Sequence, residues 1–405
     1  MYNIVVANFP IGPRYNGGAM TVWGIVNALL DKNEKVIIIL ICDYKIKNSS
    51  LYYSCIKELK KKKIKYKIVF FKDKKFFFIK KFLYFFISLL TGNPHYFFLP
   101  QYYLKSSIES IIKKLTVKRI FCYHFDALSA CYRIKNNLIV ACLGDLVHEP
   151  RKYRRIILNG FTFKTKILNK LEKYISIKMA KTMLDKVTFC GYYAHHYSLF
   201  MKNFNKNSTY IRTSIVPPSF VPPQRQNGIK KIILAGDLTG TVTISSIIFL
   251  KKFLQKYYEK LPADLKFNIF GYGQLDAYFQ KYKNLYYMGV SNNLILEFDK
   301  YSCLLACNEI DLGIRVRIIT ALSYGALVLT HESNVLGIPE LKHGKNCIIF
   351  KNIDDLYKIF NSLSDNKFNI NQIKKNALKT FYKYFYYKSA FNDLINKINY
   401  PKLIT

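Results

Sequence analysis

Short runs of consecutive apolar, often β-branched residues recur along this chain, and stretches with helical spacing separate them. "NIVVAN" (Asn3–Asn8) reads as a buried strand, the pattern of Thr21–Leu30 as a helix, and "KVIIILIC" (Lys35–Cys42) as a second strand. Further strands are expected at Tyr66–Phe71, Lys118–His124, Asn137–Asp145 and Lys186–Gly191, with helical patterns between most of them. Strands that are apolar throughout, rather than alternating, are covered on both faces, as in a parallel sheet flanked by helices.

The texture changes at "VPPSFVPPQRQNG" (Val216–Gly228), where four prolines fall in a short polar stretch. Proline holds itself and its predecessor extended, so residues 217–228 read as a linker. The alternation then restarts, with strands expected at Lys230–Gly236, Leu265–Gly271, Asn284–Gly289, Ser302–Cys307, Ala326–His331 and Asn346–Phe350. This predicts an α/β protein of two doubly wound, Rossmann-like domains, 1–216 and 229–385, facing a central cleft. A C-terminal helix over 386–405 has the first domain as one place to return to. Ligands of such sheets bind outside the carboxyl ends of the strands, so residues just after strands are the candidates for chemistry. No short-period repeat is present, which excludes a solenoid.

Charge narrows the class of partner. Lys and Arg number 63 against 25 acids, a formal net charge of +38, and such a field attracts anions. A codon bias toward Lys, Ile, Asn, Tyr and Phe would produce the same excess as a merely solvated surface. No nucleic-acid-binding motif accompanies it, so no nucleic-acid partner is expected. Nine scattered cysteines, an odd number, argue against a secreted disulfide framework. Cys303 and Cys307 would pack a strand in a reducing cytosol. The N-terminus lacks the basic and apolar regions of a signal peptide, and the expected location is cytoplasmic. In "KKFFFIKKFLYFFISLLTG" (Lys74–Gly92) the uninterrupted apolar run covers only Phe82–Leu90, against the roughly 20 residues that a spanning helix needs. With "KELKKKKIKYK" (Lys57–Lys67), residues 57–90 can instead meet an anionic membrane surface at the inner face, or the phenylalanines can pack into the core.

Several glycines end strands. Gly17 and Gly18 follow the first strand, Gly236 follows "KIILA", Gly271 and Gly273 sit in "FGYGQL", and Gly289 closes "NLYYMG". Glycine lets backbone N–H groups approach a phosphate at a helix mouth, but it also serves ordinary turns. The spacing is not GxGxxG, and no acid stands where a dinucleotide fold needs one. In "DLGIRVRIITALSYGALVLTH" (Asp311–His331) a helix is expected from about Ile314. Arg315 and Arg317 then lie at its mouth, where N–H groups and the helix dipole already favour an anion. The alternative is a surface pair with Glu309 or Asp311. Thr320 is a polar residue inside an apolar helix. His124 ends a strand, where a single histidine can serve as a core or capping residue. Asp145, in "CLGDLVHEPRKYRR", can position or deprotonate a hydroxyl, or cap the next helix. The cluster Arg151, Lys152, Arg154 and Arg155 suits an acidic acceptor or lipid headgroups. No Asp-x-Asp stands at a strand end, so neither metal nor cofactor is expected.

The stretch "GIRVRIITALSYGALVL" resembles the "GTRLKILEAMALGKPVV" element of GT-B glycosyltransferases, in particular the retaining family 4 (glycosyl transferases group 1). Gly313, Arg315, Arg317, Ile318, Ala321 and Gly325 fall on matching positions. "IILAGDL", "FNIFGYGQL", "NLYYMGVSNNL" and "GIPELKHGKNCIIF" follow the family's order around it, and "YNGGAM" is similar to its first glycine loop. The likeness extends over nearly the whole chain and is specific from about residue 230 to 350. It implies a metal-independent hexosyltransferase, retaining at the anomeric carbon. A nucleotide-sugar co-substrate would give up its sugar to a glycan or lipid-linked acceptor, in cell-surface polysaccharide or glycolipid synthesis. Gly17 and Gly18 would face donor and acceptor, and His124 the transferred sugar. Asn308 and Glu309 would lie near sugar and phosphates, and Arg315 and Arg317 would hold the phosphates. Two departures stand out. Thr320 replaces the family's ribose-binding Glu, and "GDLTGTVTISS" lacks the usual Arg and Lys. A non-catalytic member binding membrane or a partner enzyme, and a sugar-nucleotide epimerase, are the alternatives.

Overall fold

The computed structural model describes residues 1–400 except 14–16, 72–76, 136–137, 219–227, 292–293, 300 and 366. The chain divides into two compact units, one of Met1–Val216 with the chain from Ala390, the other of Pro217–Ser389. Most of the expected linker, and Asn16 of the first glycine loop, lie outside the described residues.

The first unit is built on a seven-stranded sheet: β1 (Tyr2–Ala7), β2 (Lys35–Asp43), β3 (Lys65–Phe71), β4 (Val117–Tyr123), β5 (Ile139–Leu143), β6 (Phe189–Tyr192) and β7 (Ser208–Tyr210). Their order is β3-β2-β1-β4-β5-β6-β7, every pair parallel. From Ile4 to Ala7 and from Val36 to Cys42 every residue is buried, which is what helices on both faces require of a central strand. The strand order reverses at β1 and β4, so the crevice at their carboxyl ends is the topological switch point. Helix Gly17–Asp31 starts there, and so does helix His124–Cys131.

The second unit repeats the plan with six parallel strands. They are β8 (Lys231–Ala235), β9 (Lys266–Phe270), β10 (Leu285–Gly289), β11 (Ser302–Ala306), β12 (Leu327–His331) and β13 (Ile348–Phe350), in the order β10-β9-β8-β11-β12-β13. Its switch point lies between β8 and β11. Helix Thr241–Tyr257 buries Phe249, Leu250, Phe253 and Leu254 against the sheet, where Phe249 meets Phe350 at 5.6 Å between ring centroids. Each such side chain contributes about 2 kcal/mol by leaving water.

Strand ends differ from the sequence expectations by up to three residues. β7 was not expected, because three residues are too few to show a pattern. His124 does not end β4; it opens the following helix with φ +65°. The helix expected from about Ile314 begins at Val316, because Gly313 turns through φ +60° and Arg315 is still non-helical. Among the described residues no helix is long and apolar enough to cross a membrane. Helix Phe77–Thr91 divides its described side chains between two environments. Ser88 is buried and Phe85 stacks edge-on against Tyr96, whereas Leu83, Phe86 and Leu90 are exposed.

Candidate functional site

In the second unit the carboxyl ends of β8, β9 and β10 converge on glycines. A Cβ added to Gly271 would lie 1.7 Å from the carbonyl oxygen of Gly236, so no other residue fits this crossing. A Cβ on Gly236 would meet Thr243 Oγ1 at 2.5 Å and Arg317 Nη1 at 2.6 Å. The bare backbone at Gly236 thus lets two helix mouths, those of Thr241–Tyr257 and Val316–Ser323, close on one point. No side chain caps either N-terminus. The Tyr287 hydroxyl donates to the carbonyls of Gly271 (3.0 Å) and Gly273 (2.7 Å), which fixes the glycine loop, and Gly271 N–H donates to Gly289 O at 2.8 Å. Gly236, Gly271, Gly273 and Gly289 are therefore neighbours.

Arg317 reaches beneath the end of β8, where its Nη1 donates to Ala235 O. Burial, together with the positive charge of Arg315, lowers its pKa to about 10. It keeps its proton at neutral pH. Two guanidinium groups drawn out of water side by side are unfavourable alone, and an anion between them removes the repulsion. Arg315 sits half-buried at the N-cap of helix Val316–Ser323, and its carbonyl accepts from Ile318 N–H at 2.8 Å.

The other candidates of this unit act differently. Asn308 is wholly buried, and its Nδ2 donates to Ile310 O (3.0 Å) and Asn334 Oδ1 (3.2 Å). Ser333 Oγ in turn donates to Asn308 O at 2.7 Å. His331 Nε2 faces the carbonyl of Lys351 at 2.8 Å and must carry the proton, which leaves Nδ1 to accept from Ser333 N–H at 3.2 Å. This His331–Ser333–Asn334 network pins the loop after β11 to the turn after β12, and it sets where Arg315 emerges. Its residues belong to the short polar run His331–Asn334, to which the sequence reading assigned no role. Glu309 is exposed, with its carboxylate 3.8 Å from Lys252 Nζ and its N–H donating to Ser245 Oγ. Thr320 is buried and donates its hydroxyl to Val316 O at 2.9 Å within its own helix.

In the first unit, Gly17 and Gly18 open a helix whose Thr21 hydroxyl donates to Gly17 O at 2.8 Å. A Cβ on Gly18 would lie 3.2 Å from the Tyr123 hydroxyl, so this N-terminus packs against the end of β4. The His124 ring lies against Gly144, where a Cβ would fall 2.0 Å from Cε1. Burial lowers its pKa to about 4, so it is a neutral imidazole at neutral pH. Asp145 follows directly, close enough to act electrostatically on Tyr123. Asp126, one turn into the helix that His124 starts, is a residue that the sequence reading missed. Burial raises it to about 6, with its own backbone N–H and Arg151 opposing.

The basic cluster is largely committed to the fold. Glu172 is buried and receives Arg151 Nη1 at 3.3 Å, Arg155 Nη2, and the Tyr96 hydroxyl at 2.9 Å. Lys152 pairs with Glu149 at 2.9 Å, whose pKa falls to about 2 because its bonds from His148 and Lys152 outweigh burial. A buried carboxylate needs such partners, so of the four basic residues only Arg154 is exposed. Among the described residues no group of three or more His, Cys, Asp or Glu can hold a metal ion.

Two Rossmann-like units in tandem are the fold of the GT-B glycosyltransferases. No family model and no curated protein matches the sequence. Among solved structures the chain is similar to HepE of Anabaena in complex with UDP-glucose, at 11% identity and a TM-score of 0.63, over 98% of this chain and 99% of that one. It is also similar to the lipopolysaccharide outer core galactosyltransferase WaaB in its apo form, at 13% identity and a TM-score of 0.59, over 99% and 100% of the two chains. A third is an S. aureus TarM mutant in complex with fondaparinux, alpha-GlcNAc-glycerol and UDP, at 12% identity and a TM-score of 0.63, over 98% and 99%. At such identities the likeness is one of fold.

Proposed function

We propose that the chain is a glycosyltransferase that moves a hexose from a nucleotide-sugar donor to a glycan or lipid-linked acceptor, with retention and without a metal. One observation carries the reading: Arg317 and Arg315 stand at the uncapped mouth of helix Val316–Ser323, against the bare backbone of Gly236. Backbone N–H groups, a helix dipole and two planar guanidinium groups form a site for a diphosphate. The complexes of HepE with UDP-glucose and of TarM with UDP support a nucleotide-sugar donor as the source of that diphosphate.

In the transfer, the bond between the anomeric carbon and the donor phosphate oxygen breaks, and the nucleoside diphosphate leaves with the electron pair. Arg315 and Arg317 stabilise that developing charge, an interaction stronger in the transition state than before it. The acceptor oxygen bonds to the anomeric carbon on the same face. Its proton goes to the departing phosphate, while Asp145 orients the hydroxyl. Neutral His124 donates a hydrogen bond to the sugar without adding positive charge. Thr320 offers the ribose no carboxylate, so nucleotide affinity is weaker than a glutamate would give. The setting is the cytoplasmic face of a membrane, in cell-surface polysaccharide or glycolipid synthesis.

Thermal unfolding with UDP, GDP and ADP tests the reading. The cognate nucleotide at about a hundred times its Kd adds roughly 2.7 kcal/mol. If none of the three shifts the transition, the alternative favoured by Thr320 and the missing basic residues stands: a non-catalytic protein of the same fold.

A further inference from the structure

Helices His148–Asn159 and Phe163–Leu184 form a hairpin in the first unit, turning at Gly160 with φ +66°. The second helix is 22 residues long, and its first half leaves the body of the unit: from Phe161 to Leu171 only Thr165 is buried. Among the residues it exposes are large apolar ones. Phe161 and Phe163 are 74% and 79% exposed at the tip, Leu158 is exposed beside them, and Ile167, Leu171 and Tyr174 continue at helical spacing along one face. Exposed aromatic residues in such a row are unfavourable in water unless something covers them.

Charge identifies the cover. Between Arg151 and Tyr174 there are eight basic residues and one acid, and that acid, Glu172, is buried and paired. Lys164, Lys166, Lys170 and Lys173 are exposed and flank the apolar row. Lysine is depleted from the centres of protein interfaces, where its desolvation is unfavourable. An apolar row bordered by lysines suits the boundary between lipid headgroups and acyl chains, where the rings enter and the ammonium groups stay among phosphates. We infer that this hairpin docks the protein on an anionic bilayer surface. The site is distinct from the lysine run of residues 57–67, which is basic but lacks exposed phenylalanines. It is also independent of the transferase reading, since vesicle binding needs neither donor nor acceptor.

The experiment is co-sedimentation of the full chain with phosphatidylcholine vesicles and with vesicles in which phosphatidylglycerol replaces part of that lipid. The wild type pellets with the anionic vesicles and stays in solution with the neutral ones. The double variant Phe161→Ser/Phe163→Ser loses about a hundredfold in affinity, and Lys164→Glu/Lys170→Glu about thirtyfold. All four residues are exposed, so both variants keep the wild-type melting temperature. As a second readout, Phe163→Trp emission shifts to shorter wavelength with anionic vesicles, over a background of one buried tryptophan, Trp23. Equal binding by Phe161→Ser/Phe163→Ser and wild type overturns the inference, and so does equal binding to neutral and anionic vesicles. Loss of binding on reversal of Lys60–Lys63, with the hairpin variants unaffected, overturns it as well.

Discussion

At the residue scale, the arginine at the mouth of helix Val316–Ser323 bears on activity and the carboxyl groups bear on pH. Arg317→Ala frees Ala235 O; under the proposed transfer it also removes a donor to the leaving group, and kcat on the cognate donor falls by about 10² to 10³. An unchanged kcat with raised KM would mean that Arg317 serves binding alone. Thr320→Glu restores the carboxylate that the resemblance leads one to expect, and calorimetric affinity for the nucleotide rises about tenfold. The first unit titrates with opposed signs. His124, held neutral by burial down to about pH 4, contributes stability that is present above its ordinary 6.5 and lost as pH falls toward 4. Asp126, raised to about 6, contributes stability that is present below 3.8 and lost as pH rises through 6. Asp126→Asn removes the second contribution. Melting temperature then climbs more steeply between pH 4 and 6.5 than in the wild type, and an identical slope would show that Asp126 ionises as it does in water.

At the element scale, the two sheets were legible because buried parallel strands advertise themselves as unbroken apolar runs. "KVIIILIC" and "SCLLAC" could hardly be anything else. The glycines at strand ends were legible too, as was the arginine pair. What the sequence does not carry is which polar groups meet in the interior. Asn334 and Ser333 belong to no motif, yet they hold the loop that leads to Arg315 by their bonds to Asn308. Glu172 reads as one acid on a lysine-rich helix, yet it is buried among two arginines and a tyrosine. Conversely, Phe161 and Phe163, aromatic residues of a kind usually found inside, lie in solvent. Periodicity reports the face of an element, not what the fold sets against it. Glu172→Gln leaves Arg151 and Arg155 without their counter-charge and lowers stability by about 3 kcal/mol, measurable as an earlier thermal transition of the first unit.

At the scale of the whole molecule, the first unit is discontinuous in sequence. Phe391 lies in its core, 6.2 Å from Phe121 between ring centroids, and Arg212 pairs with Asp393 at 3.0 Å. Lys397 Nζ donates to Tyr210 O at 2.8 Å on β7, the short edge strand. A chain ended before Ala390 therefore exposes Phe121 and removes the Asp393 partner of Arg212, and the first unit loses about 4 kcal/mol. Limited proteolysis with mass analysis would show faster cleavage in residues 1–216 while 217–389 resists. Equal resistance of both would mean that the returning segment is dispensable.

That returning segment also orders events in time. On a ribosome adding 5–20 residues per second, roughly 10–35 s separate the emergence of residue 216 from that of residue 390. Throughout that interval Phe121 lacks the cover of Phe391, and the second unit, which ends at Ser389, has its full complement of residues just before the first unit does. The nascent chain thus completes its later half first, and a chaperone holding the earlier half would find its release signal in the helix that carries Phe391.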